Sequence, residues 1–153
     1  MNTVGLGSIF ELSLRILLLL NELQTDSLDE HQIGAIDFIA IYAADFGLLD
    51  ENLHGYNNYR FSEYPARQLL ISSALKELIL NETIKLYPTS TGYRYSITEA
   101  GKSVCQKLVD NYADEYRIAV QAVIKKFNNA NVELMLREIN RITIHSLQEI
   151  GHE

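Results

Sequence analysis

The sequence predicts a mainly α-helical fold with a small β-hairpin: a winged-helix domain with N-terminal helices and two long C-terminal helices. Apolar residues recur at helical spacing through most of the chain. Two short alternating segments, 84–87 and 93–97, flank a turn at residues 89–92 and predict the hairpin. Helix, strand, turn, strand and helix follow one another over residues 62–108, as in the second half of a winged helix. Because winged helices dock on DNA or on proteins, this order indicates binding rather than catalysis.

The composition predicts one globular domain over residues 1–153. Of the 153 residues, 47% are hydrophobic and 22% are charged, which is typical of a chain that buries a core. Cys105 is the only cysteine, so no internal disulfide can form and a reducing, cytoplasmic setting is expected. The apolar run 16–20 is too short to span a membrane and follows Glu11 rather than a basic leader. We therefore expect neither a signal peptide nor a membrane partner.

Two helices are predicted at the N-terminal end of the chain. Ser8 is a candidate cap for a helix over about residues 9–24, whose leucines and isoleucines recur at helical spacing. A second helix, capped by Asp29 or Ser27, is expected to run to about Asp45. Its apolar positions cover more than one stripe of the helix, so we expect this helix to be largely buried.

A long loop over residues 46–61 completes the N-terminal part of the chain, residues 8–61. It combines glycine, asparagine and tyrosine with apolar side chains. Long loops of this kind either contact a partner or pack as compact surface loops, and the sequence favours the first. The candidate contact residues in this loop are Leu53, His54 and Tyr56.

The winged-helix segment, residues 62–108, begins with a third predicted helix. Ser62 or Glu63 starts this helix, and Pro65 is tolerated in its first turn. Its predicted buried face consists of apolar side chains at helical spacing: Leu69, Leu70, Ala74, Leu75, Leu78 and Ile79. Polar side chains lie on or near the opposite face, where a partner could reach them: Arg67, Gln68, Ser72 and Lys76.

The C-terminal helices, residues 99–150, follow the hairpin. Thr98 is expected to cap a helix of about residues 99–127, with Glu99 in its first turn. A hinge at residues 128–131 leads into the last helix. These helices either complete the core or leave an apolar stripe for a partner helix, and the length of the first slightly favours a partner.

The distribution of charge says more about binding than the net charge of −7. Residues 1–59 carry nine acids and one base, residues 60–94 carry five bases and three acids, and residues 95–153 carry seven bases and eight acids. A net charge of +2 on the middle segment of an acidic chain predicts weak or indirect DNA binding, because phosphate contacts dominate affinity for DNA. The basic candidates for contact with a partner or DNA are Arg60, Arg67, Lys76, Lys85 and Arg94.

Motifs for catalysis or for cofactor binding are weak in this sequence. Residues 45–47 spell Asp-Phe-Gly, but no glycine-rich phosphate loop or His-Arg-Asp motif accompanies them, so they read as a helix end. The four histidines are scattered, and Cys105 has no partner at metal-ligand spacing. We therefore expect no enzyme, no cofactor and no metal, with His54 more suited to a structural or contact role than to catalysis.

A set of residues in the N-terminal half gives the chain a family likeness. The set consists of Phe10, Leu12, Leu14, Arg15 and Leu17 to Leu20, then Ile36-Asp37-Phe38, Ala44-Asp45-Phe46-Gly47 and Asn52-Leu53-His54. With Arg67 and the segment 74–78, the pattern over about residues 8–108 resembles the small middle component of ABC-three-component systems, among them the Lamassu type of bacterial defence.

That resemblance implies a non-enzymatic accessory subunit. Such a subunit would dock on an SMC-like ATPase and act beside an effector nuclease subunit in antiviral or anti-plasmid defence. It would couple DNA sensing to control of the effector. The weak local basicity of residues 60–94 agrees with this role.

Two alternatives remain open from the sequence. The first is a stand-alone winged-helix transcriptional regulator that dimerises through residues 99–150, places helix 63–80 in the major groove and reaches the minor groove with Arg94. The second is an enzyme, for which only His54, Asp45 and Cys105 offer chemistry. The charge distribution weighs against the regulator.

Overall fold

A computed structural model describes residues 3–23, 27–56, 60–128 and 130–151. The elements in chain order are α1 (Thr3–Glu22), β1 (Leu28–Asp29), α2 (Glu30–Ile41), a short 3-10 helix (Arg60–Glu63), α3 (Tyr64–Leu80), β2 (Ile84–Thr89), β3 (Gly92–Ile97), α4 (Glu99–Lys107), α5 (Asn111–Lys126) and α6 (Val132–Gly151). The fold is therefore mainly helical with a small antiparallel sheet, which confirms the predicted class at that level. No helix in the described ranges has the length and apolar character needed to cross a membrane.

The sheet contains the predicted hairpin and one strand that was not predicted. β2 and β3 pair antiparallel, with Ile84 opposite Ile97 and Thr89 opposite Gly92. Gly92 has a φ of 124°, a backbone conformation that residues other than glycine rarely adopt. The two-residue strand β1 pairs with the other side of β3, so the strand order is β1-β3-β2. A strand of two residues has no alternating pattern, so only its pairing with β3 reveals it.

The first two helices form the centre of the core. The apolar run 16–20 in α1 is buried throughout, and so are residues 33–41 of α2. A helix that is apolar on all sides needs neighbours on all sides. α1 packs against α2, α3, α4 and α5, and α2 also packs against α6.

The helix caps decide where several helices begin. Asp29 forms a capping box with Gln32 at the start of α2, and Thr98 accepts a hydrogen bond from the Gly101 N–H at the start of α4. Both agree with the predicted caps. Ser8 does not cap α1, because α1 begins at Thr3 and Ser8 lies inside it. An apolar pattern that starts late in a helix gives no signal for the turns before it.

The prediction of one continuous helix over residues 99–127 is wrong, because α4 ends at Lys107 and α5 begins at Asn111. Asp110 caps α5 by accepting a hydrogen bond from the Ala113 N–H at 2.8 Å. Arg117 donates to the carbonyl oxygens of Cys105 and Leu108, at 2.9 and 2.8 Å, and so satisfies acceptors at the end of α4. The C-terminal part therefore contains three helices rather than two, and its break is stabilised by polar contacts.

The predicted buried face of α3 is confirmed except at Leu69, which is 74% exposed. The buried residues of α3 are Ile71, Ala74, Leu75 and Leu78, while Leu70 and Ile79 are half-buried. Arg67 and Gln68 are half-buried rather than fully presented to solvent. The sequence of α3 has no strong apolar stripe, so the packing of α1 and α2 sets its orientation.

Candidate interaction surface

The outward face of α3 exposes apolar side chains that no residue in the described ranges covers. The exposed positions recur at helical spacing, and the large ones, Leu69 and Leu80, are 74% and 77% exposed. Phe10 of α1 is 65% exposed and shares a groove with Ser73 of α3. We call this region the α3 surface and define it by these residues: Phe10, Ala66, Leu69, Ser73, Lys76 and Leu80. Exposed large apolar residues in one region are typical of a protein interaction site.

A groove of about 460 Å³ lies beside the α3 surface, between α1, α3 and α4. Ile9, Leu14 and Val104 form part of its apolar lining. Ser13 also lines the groove, but its hydroxyl donates to the Ile9 carbonyl of the same helix at 2.8 Å. That hydroxyl proton is therefore not available to a partner. The groove can therefore receive an apolar side chain next to the exposed leucines of α3.

The charge of the α3 surface does not favour phosphate. Lys76 is exposed, and the neighbouring Glu77 offsets its charge. The Arg67 guanidinium lies 3.7 Å from the Glu63 carboxylate and 5.9 Å from the ring centre of Tyr42. Of the two bases that the sequence proposed on this helix, only Lys76 is therefore presented to a partner.

The hairpin presents Lys85 but uses Arg94 within the fold. Lys85 is exposed, with its ammonium 5.6 Å from the ring centre of Tyr87. Arg94 donates from Nε to the Ser27 hydroxyl at 2.8 Å and from a terminal nitrogen to the Ser27 carbonyl at 2.7 Å. Arg94 thus fixes the chain just before β1. Tyr95 is buried, whereas Tyr93 is 58% exposed and is open to a partner.

A network of hydrogen bonds stabilises the described part of the long loop, residues 46–56 and 60–61. Arg60 contacts both carboxylate oxygens of Asp45, at 2.6 and 2.8 Å. The Asn52 amide donates to Asp45 and to the Gly55 carbonyl, while its oxygen accepts from the Ala44 N–H at 2.8 Å. These polar contacts hold residues 44–56 in place, and Arg60 contributes to them through Asp45. The sequence analysis placed Asn52 in the family pattern but did not assign it this structural role, although asparagine in a turn often hydrogen-bonds to nearby backbone groups.

Two of the proposed loop residues remain accessible in part. Tyr56 is 50% exposed, and its hydroxyl accepts from the Asn52 N–H and donates to the Glu51 carboxylate, at 3.1 and 3.2 Å. Leu53 is half-buried and packs against the core. The third, His54, is also half-buried, with its Nε2 2.6 Å from the Tyr112 hydroxyl and its ring in a T-shaped contact with Tyr42.

A buried polar triad lies beneath His54. Arg15 donates to both oxygens of Asp37, at 2.7 and 3.0 Å, and the Tyr116 hydroxyl donates to Asp37 at 2.7 Å. Burial alone would raise the pKa of Asp37, but the charge and hydrogen bonds of Arg15, together with the Tyr116 hydrogen bond and the charge of Arg67, hold this pKa below its ordinary value. Because the triad joins α1, α2 and α5, it fixes these helices relative to one another. A lone arginine in an apolar run was the sequence signal for it.

The chemistry of the remaining candidates is limited. Burial raises the pKa of the Cys105 thiol to about 11, so the thiolate needed for nucleophilic attack is scarce at neutral pH. Among the residues that the structure describes, no group of three His, Cys, Asp or Glu side chains could hold a metal ion. Asp45, the first residue of the Asp-Phe-Gly tripeptide, lies in the turns that follow α2 and forms an ion pair with Arg60.

His54 predicts a dependence of stability on pH. Burial, with the nearby charge of Arg15, lowers the pKa of His54 from 6.5 to about 4. Above pH 6.5 both the folded and the unfolded chain hold it neutral. Between pH 6.5 and 4 the unfolded chain takes up a proton that the folded chain refuses, so stability falls with falling pH. With the partial exposure of the ring taken into account, we expect a loss of about 1–2 kcal/mol. Urea unfolding of the wild type and of His54→Gln between pH 6.5 and 4 measures this loss. If the free energy of unfolding fell equally with pH in both proteins, His54 would not be its cause.

Residues 6–149 match the family model described as ABC-three component (ABC-3C) system Middle Component 2. The match takes in the α3 surface, the hairpin, the long loop and the buried triad. No curated protein and no solved structure gives a significant match to this chain.

Proposed function

The chain belongs to the ABC-three component (ABC-3C) system Middle Component 2 family, and from this membership we propose that it is a non-enzymatic accessory subunit that docks on another component of its system. The observation that carries the proposal is the α3 surface, where Leu69 and Leu80 are exposed in a helix whose other face is core. A subunit that docks on another component needs a surface of this kind.

The energetics of the α3 surface support docking on protein. Full burial of a leucine side chain is favourable by about 1.5–3 kcal/mol, so covering Leu69 and Leu80 would supply a sizeable part of a binding free energy. Phe10 and the adjacent groove add apolar area that a partner side chain could fill. Because Lys76 is the only base on this surface, binding through it would depend little on salt.

We propose an SMC-like ATPase as the partner, in a system that also contains an effector nuclease of the kind found in Lamassu-type defence. The reference to an ABC component in the family description supports an ATPase partner. The acidic balance of the chain supports DNA contact by other subunits, with this chain coupling DNA sensing to the effector. The two-stranded ribbon after α3 and the short strand β1 support a winged-helix arrangement.

The alternative function, a stand-alone DNA-binding regulator, finds less support. It would use Arg67 and Arg94 on DNA, and both side chains contact protein groups, Glu63 and Ser27 respectively. A gel shift at low and high salt tests this alternative. Tight, salt-sensitive binding by the isolated chain would favour the regulator over the accessory subunit.

Charge on the α3 surface is expected to abolish docking without unfolding the chain. In Leu69→Asp/Leu80→Asp both carboxylates would have to be desolvated on binding, so co-purification with the co-expressed ATPase subunit should fall by at least about a hundredfold, equivalent to roughly 2.8 kcal/mol. Ile144→Asp/Leu147→Asp is the matched control, because those α6 side chains are 57% and 53% exposed. Circular dichroism verifies folding. Full co-purification of the α3 variant, or equal loss in the α6 control, would argue against this interface.

A further inference from the structure

A second groove lies between the long loop and α5, away from the α3 surface. It has a volume of about 280 Å³ and is lined by Leu49, Asp50, Glu51, Leu53, Glu115 and Ile118, with Asn52 at its base. We call it the loop–α5 cleft. Ile118 is 59% exposed and Leu49 and Leu53 are half-buried, so apolar side chains form much of the wall.

The rim of the loop–α5 cleft carries charge of one sign. Asp50, Glu51 and Glu115 line the cleft, and no lysine or arginine is among its described lining residues. The carboxylates of Asp50 and Glu115 form no hydrogen bond or ion pair with any residue in the described ranges, while the Glu51 carboxylate accepts from the Tyr56 hydroxyl. The nearest base in the α5 sequence, Arg117, is engaged by Asp114 and by two carbonyl groups. The rim charge is therefore available to a cationic partner group.

Both walls of the cleft are held before any partner arrives. The loop wall is fixed by the Asn52 hydrogen bonds to Asp45 and Gly55. The α5 wall is fixed by the Tyr116 hydroxyl, which donates to the buried Asp37. A preformed cleft loses little conformational entropy on binding, so more of the contact energy appears as affinity.

We propose that the loop–α5 cleft binds a short basic and apolar segment of another protein chain, with leucine- or isoleucine-like side chains against Ile118 and lysines or arginines at the acidic rim. Charge complementarity selects this occupant. An acidic segment would place like charge beside the three carboxylates of the rim, and a purely apolar segment would leave them without a counter-charge. That the segment belongs to a fellow subunit rests on the proposed function, whereas the chemistry of recognition does not. The chain then has two docking surfaces, the α3 surface and this cleft.

The isolated full-length chain can test the cleft with a defined probe. The probe is a short synthetic amphipathic peptide of leucine and lysine, and its counterpart carries glutamate in place of lysine. In ¹⁵N-labelled protein the lysine peptide should shift amide resonances of residues 48–56 and 111–118, and the glutamate peptide should shift none. The Kd of the lysine peptide should rise about tenfold in Asp50→Lys/Glu115→Lys. Ile118→Ser should weaken binding as well, since the apolar wall contributes to it.

A matched pair separates specific binding from general attraction to an acidic protein. Glu82→Lys/Glu133→Lys makes the same change in net charge at exposed positions outside the cleft and should leave the Kd within about twofold. The proposal would be overturned if both double variants weakened peptide binding equally, if the resonance shifts centred on α3, or if the lysine peptide did not bind. If the amide resonances of the cleft shifted with protein concentration in the absence of peptide, the cleft would bind a second copy of the chain, and this too would overturn the proposal. If the peptide binds in the cleft but the chain fails to co-purify with the ATPase, only the proposed function fails.

Discussion

Replacing Asp37 with leucine is expected to destabilise the fold by about 3–5 kcal/mol, which is a large part of the 5–15 kcal/mol typical of a domain. The variant leaves the Arg15 guanidinium buried, with a side chain 4% exposed, and removes the carboxylate that receives its two hydrogen bonds. It also removes the acceptor of the Tyr116 hydroxyl. Urea unfolding monitored by circular dichroism measures the change.

The exposed pair Arg141–Glu138 offers a matched control for the buried pair. Arg141 is 66% exposed, so Glu138→Ala should cost less than about 1 kcal/mol. The double variant Arg15→Met/Asp37→Leu should recover much of the loss, since no unpaired charge remains in the core. Equal destabilisation by Asp37→Leu and Glu138→Ala would contradict a structural role for the triad.

Aspartate at position 75 is expected to unfold the domain, whereas aspartate at position 69 is not. Leu75 is 2% exposed and lies in the main core, so Leu75→Asp buries a carboxylate without a partner. The expected loss exceeds about 4 kcal/mol, made up of the lost apolar contacts and the buried charge. Leu69 lies on the same helix but is 74% exposed, so Leu69→Asp should change stability by less than about 0.5 kcal/mol.

Thermal unfolding of the two α3 variants tests the orientation of the helix. The sequence placed both Leu69 and Leu75 on the buried face, and in the structure only Leu75 is buried. Unfolding of Leu69→Asp would favour the sequence prediction over the structure, and a native-like melting curve for Leu75→Asp would contradict both. The comparison also qualifies Leu69→Asp as a folded variant for the docking experiment.

Some of the candidate contact residues are exposed in the structure, and others form contacts within the fold. Lys76 and Lys85 remain exposed, and Tyr56 remains half-exposed, as a contact role requires. Arg60 and Arg94 instead contact Asp45 and Ser27, residues 15 and 67 positions away in the chain. A charged residue in a net-basic segment gives no sign of such a partner, because the partner is brought close only by folding. Their contact roles remain predictions.

The apolar side chains that now define the α3 surface were outside the proposed set. The sequence assigned Leu69 to the core and did not single out Leu80 or Phe10 for contact. A leucine has the same identity in a core and in an interface, so only exposure distinguishes the two. The basic side chains were easier to propose because charge is read directly from the sequence.

Local chemistry let the sequence by itself determine the class of fold, the hairpin and the caps at Asp29 and Thr98. These features depend on residues within one or two turns of each other, so their signals survive in a linear pattern. The break between α4 and α5 depends on nearby contacts of Asp110 and Arg117, but the apolar pattern continues across it and hides it. Tertiary packing alone decided the exposure of Leu69, the strand β1 and the partners of Arg15, Arg60 and Arg94. Each of those depends on groups far apart in the chain, whose contact has a free energy only once the core has brought them together.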